Sequence, residues 1–187
     1  MLRIAAGALK GFQLAAPRHI RATQDKVRQA LFNIWGQRVI GARVLDGFAG
    51  SGAIGLEALS RGAGEVVFLE AHPASVRALQ DNLSALPAGA VPGTTELIIG
   101  EAIASLRRLA ERGRRFDLIA LDPPYEGDGG RNALIAIGEC DMLSAAGTLA
   151  VEHASRRVPP DEAGSLIRVK QHRYGDTVLS FYERQSP

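Results

Sequence analysis

From Arg43 onward, short apolar runs alternate with longer segments of helical periodicity, and no other property of the chain restricts its fold as tightly. Residues 43–48, 65–70, 95–99, 116–121 and 146–152 read as strands, and Val76, Leu79, Leu83 and Leu86 mark the clearest helical stripe between them. Such alternation implies an α/β fold: a Rossmann-like, mostly parallel, doubly wound sheet with helices on both faces and a ligand crevice beyond the strands' carboxyl ends. Leu166–Lys170 and Thr177–Tyr182 flank Tyr174-Gly175-Asp176 and read as a C-terminal antiparallel hairpin. At the other end Leu2 and Ile4, then Phe12 and Leu14, alternate about Lys10-Gly11 as a small N-terminal β-hairpin. A helix capped by Thr23 follows, with Val27, Ala30, Leu31 and Ile34 on one face, leaving Lys26 and Arg28 toward solvent or substrate. The expected division is a hairpin-and-helix extension over 1–40 and a catalytic domain over 41–187, with Pro87 to Thr95 and Ala154 to Gly164 as loops.

The crevice side of this arrangement is rich in acids and glycines. Val44 to Gly55 reads as a strand, a tight glycine turn and the start of a helix, and Gly50, Gly52 and Gly55 satisfy GxGxxG. Glycine allows a sharp turn and a close approach of backbone to ligand, but this pattern alone does not choose among nucleotide cofactors. Asp46 helps to decide, because a carboxylate at the strand's end favours the positively charged methionine end of S-adenosylmethionine and gains nothing from a pyrophosphate. Glu70 ends the next strand, where an acid can take the two hydroxyls of a ribose, and Glu101-Ala102 follows the third as an edge for adenine.

Asp122-Pro123-Pro124-Tyr125 directly follows the apolar run Phe116–Leu121. Each proline fixes its own φ and biases the residue before it toward extended geometry, so Asp122 and Pro123 are expected extended at the strand's carboxyl edge. The Asp122 carboxylate and the Pro123 carbonyl can then accept hydrogen bonds from one exocyclic amino group, while Tyr125 offers a stacking face.

These motifs resemble the S-adenosylmethionine-dependent methyltransferases, and more narrowly the ribosomal RNA small subunit methyltransferase D family. The resemblance runs through Arg3–Gly7, Arg21–Asn33, Asp46–Gly55 with Glu57–Ala63, Asp122–Tyr125 and Tyr174–Thr177. Gly47 stands where the family usually has a bulky apolar residue, Glu101 where Asp is common, and Ala22 and Gln24 where Pro and Thr are common. The resemblance implies methylation of the N2 amino group of a guanine in 16S ribosomal RNA, in an assembling or assembled small subunit, with S-adenosylhomocysteine as the other product. It implies cofactor contacts at Asp46, Phe48, Gly50, Gly52, Glu70, Ala71, Glu101, Ala102 and Asp122, and catalysis by Asp122, Pro123, Pro124 and Tyr125. Substrate contacts are expected at Lys10, Arg18, Arg21, Thr23, Arg28, Tyr125 and Tyr174.

Charge supports a phosphate-binding extension. Residues 1–43 hold eight basic side chains against one acid, Asp25, a net +7 that leaves −5 for the remainder of a chain whose total is +2. His19, His72, His153 and His172 form no metal-ligand spacing with Cys140, so no metal is expected, and Cys140 itself reads as ordinary packing. Ser51 in Gly50-Ser51-Gly52 lacks the GxSxG pattern of a nucleophile elbow. No run is long enough to span a membrane and no signal-peptide pattern opens the chain, so a cytoplasmic monomer is expected. Two other functions fit the residues less well. An adenine-N6 DNA methyltransferase would need a larger target-recognition region, and a nonenzymatic nucleic-acid-binding module would have no use for Asp46, Gly50, Gly52 and Asp122.

Overall fold

The computed structural model describes residues 2–16, 22–124 and 127–185, with the side chains of 22–24 outside the description. In chain order the elements are α1 (Ala22–Trp35), a 3-10 turn (Gly36–Val39), β1 (Arg43–Asp46), α2 (Ala53–Ser60), β2 (Glu65–Glu70), α3 (Pro73–Ser84) and β3 (Thr94–Ile99). They continue with α4 (Ala102–Glu111), β4 (Phe116–Leu121), α5 (Gly129–Glu139), β5 (Leu143–Ala154), β6 (Glu162–Ala163), β7 (Leu166–Tyr174) and β8 (Thr177–Arg184). One sheet carries all eight strands in the order β3-β2-β1-β4-β5-β8-β7-β6, the first five parallel and the last three antiparallel to their neighbours.

Period-two alternation splits the core into two layers. Val44, Val66, Phe68, Leu118, Ala120 and Ala150 pack with α1, α2 and α3, while Leu45, Val67, Leu69, Ile119, Leu121 and Val151 pack with α4 and α5. The expected strands form, with differences in extent, β7 running on to Tyr174 and β8 to Arg184. β1 stops at Asp46 rather than 48, where Gly47 N–H turns to the Ala120 carbonyl (2.9 Å). β5 starts at Leu143 rather than 146, because a bulge moves the partner from Leu143 at Phe116 to Thr148 at Leu118. The expected loop from Ala154 to Gly164 contains the two-residue β6. Cys140, expected in the packing, is exposed just beyond α5.

The N-terminal hairpin is short. Leu14 N–H donates to the Leu2 carbonyl and Ile4 N–H to the Phe12 carbonyl (both 3.0 Å), which puts Leu2, Ile4 and Leu14 in the core shared with α1 and α2. α1 begins at Ala22, so Thr23 lies within the helix rather than at its cap. Its buried stripe is Val27, Arg28, Leu31, Phe32 and Trp35, rotated from the expected Val27, Ala30, Leu31 and Ile34. Phe32 and Trp35, in edge-to-face contact at 5.4 Å, draw the helix round and carry Arg28 inward.

Candidate active site

Strand order reverses at β1, whose neighbours are β2 and β4, and the crevice opens beyond the carboxyl ends of these strands. Asp46 is in register with Phe68 and Ala120, and β4 carries Leu121 opposite Val151. Two residues past those core positions, Glu70, Asp122 and Glu152 therefore share the α1/α2 face with Asp46. Four acids gather at one end of the sheet, although they are spread over more than a hundred residues of chain.

Asp46 is 1% exposed. Its Oδ2 accepts the Gly55 N–H (2.9 Å), and its Oδ1 is buried with no partner among the described residues. Burial pushes its pKa up to about 7, against the pull of the Gly55 N–H, and the neighbouring Glu70 charge pushes the same way. Asp122 is half-buried and held well above the ordinary carboxylate range by burial first, then by the charges of Glu152 and Asp46. A site of this kind calls for positive charge or hydrogen-bond donors from a ligand.

Glu70 holds the glycine loop. Its Oε2 accepts the Gly50 N–H (2.7 Å), and Oε1 accepts those of Ala71 (2.8 Å) and His72 (2.7 Å). Of the roughly four acceptor positions on a carboxylate, one therefore remains for a ribose hydroxyl. Glu101 caps α4, accepting from the N–H groups of Ile103 (3.2 Å) and Ala104 (3.5 Å).

The glycines divide by role. Gly50 has φ +55° and open space where a Cβ would stand, so it is the loop glycine that faces the crevice. At Gly52, expected to let the backbone approach the ligand, the core occupies the space that a side chain would need. This glycine caps α2 with φ +82°, and a Cβ there would stand 2.3 Å from Leu79 Cδ1. At Gly47, Leu121 Cδ2 occupies the space that a bulkier residue would need.

Three cavities meet at Asp122–Pro124. One of about 610 Å³ is lined by Phe48, Gly50, Glu70, Ala71, Glu101, Ala102 and Asp122 to Pro124. A second, about 270 Å³, lies under α1 and shares Phe48, Gly50 and Asp122 with the first while adding Arg28 and Glu152. A third of about 370 Å³ lies beyond Pro123 and Pro124, against Arg131, Glu152 and Arg157. Tyr125 falls outside the described residues.

The expected substrate contacts are scattered. Lys10 is exposed on the hairpin, Arg18, Arg21 and the Thr23 side chain lie outside the description, and Tyr174 packs against the core beside α1. Arg28 is 7% exposed rather than at the surface, with Nη2 donating to the Arg3 carbonyl (2.7 Å) and lying 3.1 Å from Asp25 Oδ1. Arg38 and Arg43, part of the same basic excess, bond to the Ala146 carbonyl and to Asp117. Of the six of these cations that are described, Arg28, Arg38 and Arg43 are thus engaged within the protein.

Sequence reasoning missed Glu57, Asn82 and Glu152. Glu57 is 1% exposed and accepts the N–H groups of Ala5 (2.7 Å) and Ala6 (3.1 Å) and Arg61 Nε (2.8 Å), docking the hairpin on α2. A lone acid in the apolar helix AIGLEALS, with Arg at i+4, is the signal that marks it. Asn82 joins both backbone groups of Ala15 (2.7 and 2.9 Å) to the Ser51 carbonyl (2.8 Å), tying the hairpin's exit to the glycine loop. Glu152 carried no motif, and its place beside Asp122 comes from the β4–β5 register. His153 is engaged with Ser180 Oγ (2.7 Å) and the Ala154 carbonyl (2.9 Å), and burial lowers its pKa.

A profile of the family described as Conserved hypothetical protein 95 matches residues 2–183. The chain is 32% identical to the candidate rRNA methyltransferase YlbH of Bacillus subtilis, over 98% of this chain and 100% of that one. It is 36% identical to the ribosomal RNA small subunit methyltransferase D of Escherichia coli K12, over 66% of this chain and 60% of that one. Among solved structures, the candidate methyltransferase yhhF of Escherichia coli superposes with a TM-score of 0.83 at 28% identity, covering 100% of this chain and 99% of that one.

Proposed function

The chain belongs to the ribosomal RNA small subunit methyltransferase D family, the one described as Conserved hypothetical protein 95, and from that premise we propose that it methylates the N2 amino group of a guanine in small-subunit ribosomal RNA. The observation that carries this reading is Asp122, a half-buried acid that lines two adjoining cavities and is followed by Pro123, which borders the third. S-adenosylmethionine, when bound, supplies an electrophilic methyl group on a positively charged sulfur. The residues present fit it: Asp46 offers a buried, unpartnered Oδ1 to its cationic end, Gly50 leaves open space, and Glu70 keeps an acceptor for the ribose. The 610 Å³ cleft between Glu70 and Glu101 suits the adenosine.

The chain's own contribution is alignment. A guanine amino nitrogen is a poor nucleophile because its lone pair is delocalised into the ring, so Asp122 and the Pro123 carbonyl orient its hydrogens and favour the pyramidal nitrogen that attacks. Alignment can be worth up to about 7–11 kcal/mol in favourable systems. The nitrogen's proton leaves once the new bond forms, because the methylated nitrogen is strongly acidic, and no histidine base is needed. Unstacking the base costs a few kcal/mol, of which stacking on Tyr125 returns about 1–3 kcal/mol. Lys10, Arg18, Arg21 and Thr23 hold RNA phosphates from the extension over 1–40, and Tyr174 borders that surface. The protein acts in the cytoplasm as a monomer, on 16S ribosomal RNA in an assembling or assembled small subunit.

The test is methyl transfer to free ribosomal RNA, small subunits and DNA, followed by nucleoside analysis. N2-methylguanosine in 16S RNA is the expected product, and N6-methyladenine in DNA would overturn the assignment. Asp122→Ala should bind the cofactor normally yet turn over about 10²-fold more slowly, the scale of one lost pre-organised transition-state bond. Near-parental turnover would remove Asp122 from the mechanism.

A further inference from the structure

We propose that Arg28 binds the carboxylate of the cofactor's methionine arm rather than an RNA phosphate, an assignment that rests on S-adenosylmethionine being the cofactor. Arg28 is a buried cation, 7% exposed, and its Nε has no hydrogen-bond partner among the described residues. A charged donor left unsatisfied in the interior is costly, and a ligand anion relieves that cost. The side chain lines the 270 Å³ cavity, whose other charged lining residues are the acids Asp25, Asp122 and Glu152. That cavity joins the adenosine cleft through Phe48, Gly50 and Asp122, so an amino-acid arm leaving the cleft enters it directly.

The charges of such an arm sort themselves there. Its ammonium finds carboxylates among the acids that line the cavity, Glu152 among them, but its carboxylate would meet only acids were it not for Arg28. The guanidinium is held in place before any ligand arrives, by the Arg3 carbonyl at 2.7 Å and by Asp25 at 3.1 Å. A planar fork pinned at one end, with its Nε still without a partner among the described residues, is suited to a carboxylate. Arg3 belongs to the N-terminal hairpin, so the extension reaches the cofactor through this residue.

The test compares three ligands by calorimetry on parent and Arg28→Met protein: S-adenosylmethionine, its decarboxylated analogue, and methylthioadenosine, which lacks the whole arm. The parent should bind S-adenosylmethionine at least 10-fold more tightly than the decarboxylated form. Arg28→Met should weaken S-adenosylmethionine about 10- to 100-fold, the scale of a lost charge-assisted bond, and leave the other two within about twofold. Equal weakening of all three, or of none, overturns the assignment, since a purely bracing Arg28 cannot distinguish ligands by their carboxylate. If Arg28→Met fails to fold, Arg28→Lys and the parent's discrimination decide instead, and a parent blind to the carboxylate refutes the proposal. No binding of S-adenosylmethionine to the parent would fail the cofactor reading itself, and this assignment with it.

Discussion

Replacing Asp46 with asparagine separates what a buried carboxylate costs the fold from what it gives the ligand. In the folded protein Asp46 titrates near 7 against an ordinary 3.8, chiefly because it is buried. The folded state therefore holds the proton more tightly than the unfolded chain, and ionisation favours unfolding. This contribution to stability is intact below about pH 4, is lost as pH rises toward 7, and is flat above. A shift of that size corresponds to roughly 4 kcal/mol in all, of which about 2–3 kcal/mol falls between pH 5 and 8. Asparagine keeps an oxygen for the Gly55 N–H and carries no charge, at a pH-independent cost of about 1–3 kcal/mol if its amide is left unpaired. Urea unfolding of the ligand-free proteins should show the variant gaining about 2–3 kcal/mol relative to the parent between pH 5 and 8. Asp122 is present in both, and losing the Asp46 charge, which helps to raise its pKa, acts in the same direction. The same variant should bind S-adenosylmethionine at least 10-fold more weakly at pH 8, because an amide cannot neutralise the cationic end. Parallel stability curves for the two proteins would refute this account of Asp46.

The two loop glycines should behave differently. Gly52→Val is expected to destabilise the fold by about 2–4 kcal/mol, through its left-handed backbone and the clash with Leu79, whereas Gly50→Ala should mainly weaken cofactor binding; thermal melts and calorimetry separate the two. Glu57→Gln should cost about 1–3 kcal/mol by weakening the bonds to Ala5 and Ala6, and should expose the hairpin to limited proteolysis at temperatures where the sheet remains intact. Neutralising Lys10, Arg18 and Arg21 together should weaken RNA binding, leave cofactor affinity unchanged, and flatten the log–log salt slope by roughly 0.7 to 0.9 per lost phosphate contact. Affinity and slope equal to the parent's would show that these residues do not touch RNA.

What the sequence by itself determined is what local rules encode. Short apolar runs mark β1 to β5, β7 and β8, the prolines after Leu121 stop a strand where Asp122 is needed, and glycines between Asp46 and Leu56 announce a tight turn. Each of these signals is complete within a dozen residues, because it reflects φ/ψ preference and the spacing of side chains on one element. Tertiary structure decided whatever depends on partners distant in the chain. Glu57 is a hairpin anchor only because Ala5 and Ala6 lie against α2, and Glu152 reaches Asp122 only through the β4–β5 register. Gly52 has no room for a side chain because Leu79 arrives from α3. Arg28 is the clearest case. Its sequence neighbourhood is basic and polar, yet packing of Phe32 and Trp35 rotates α1 and turns the guanidinium inward. Charge counted along a chain cannot show which cations face water, since burial is a property of the assembled surface and not of the residue.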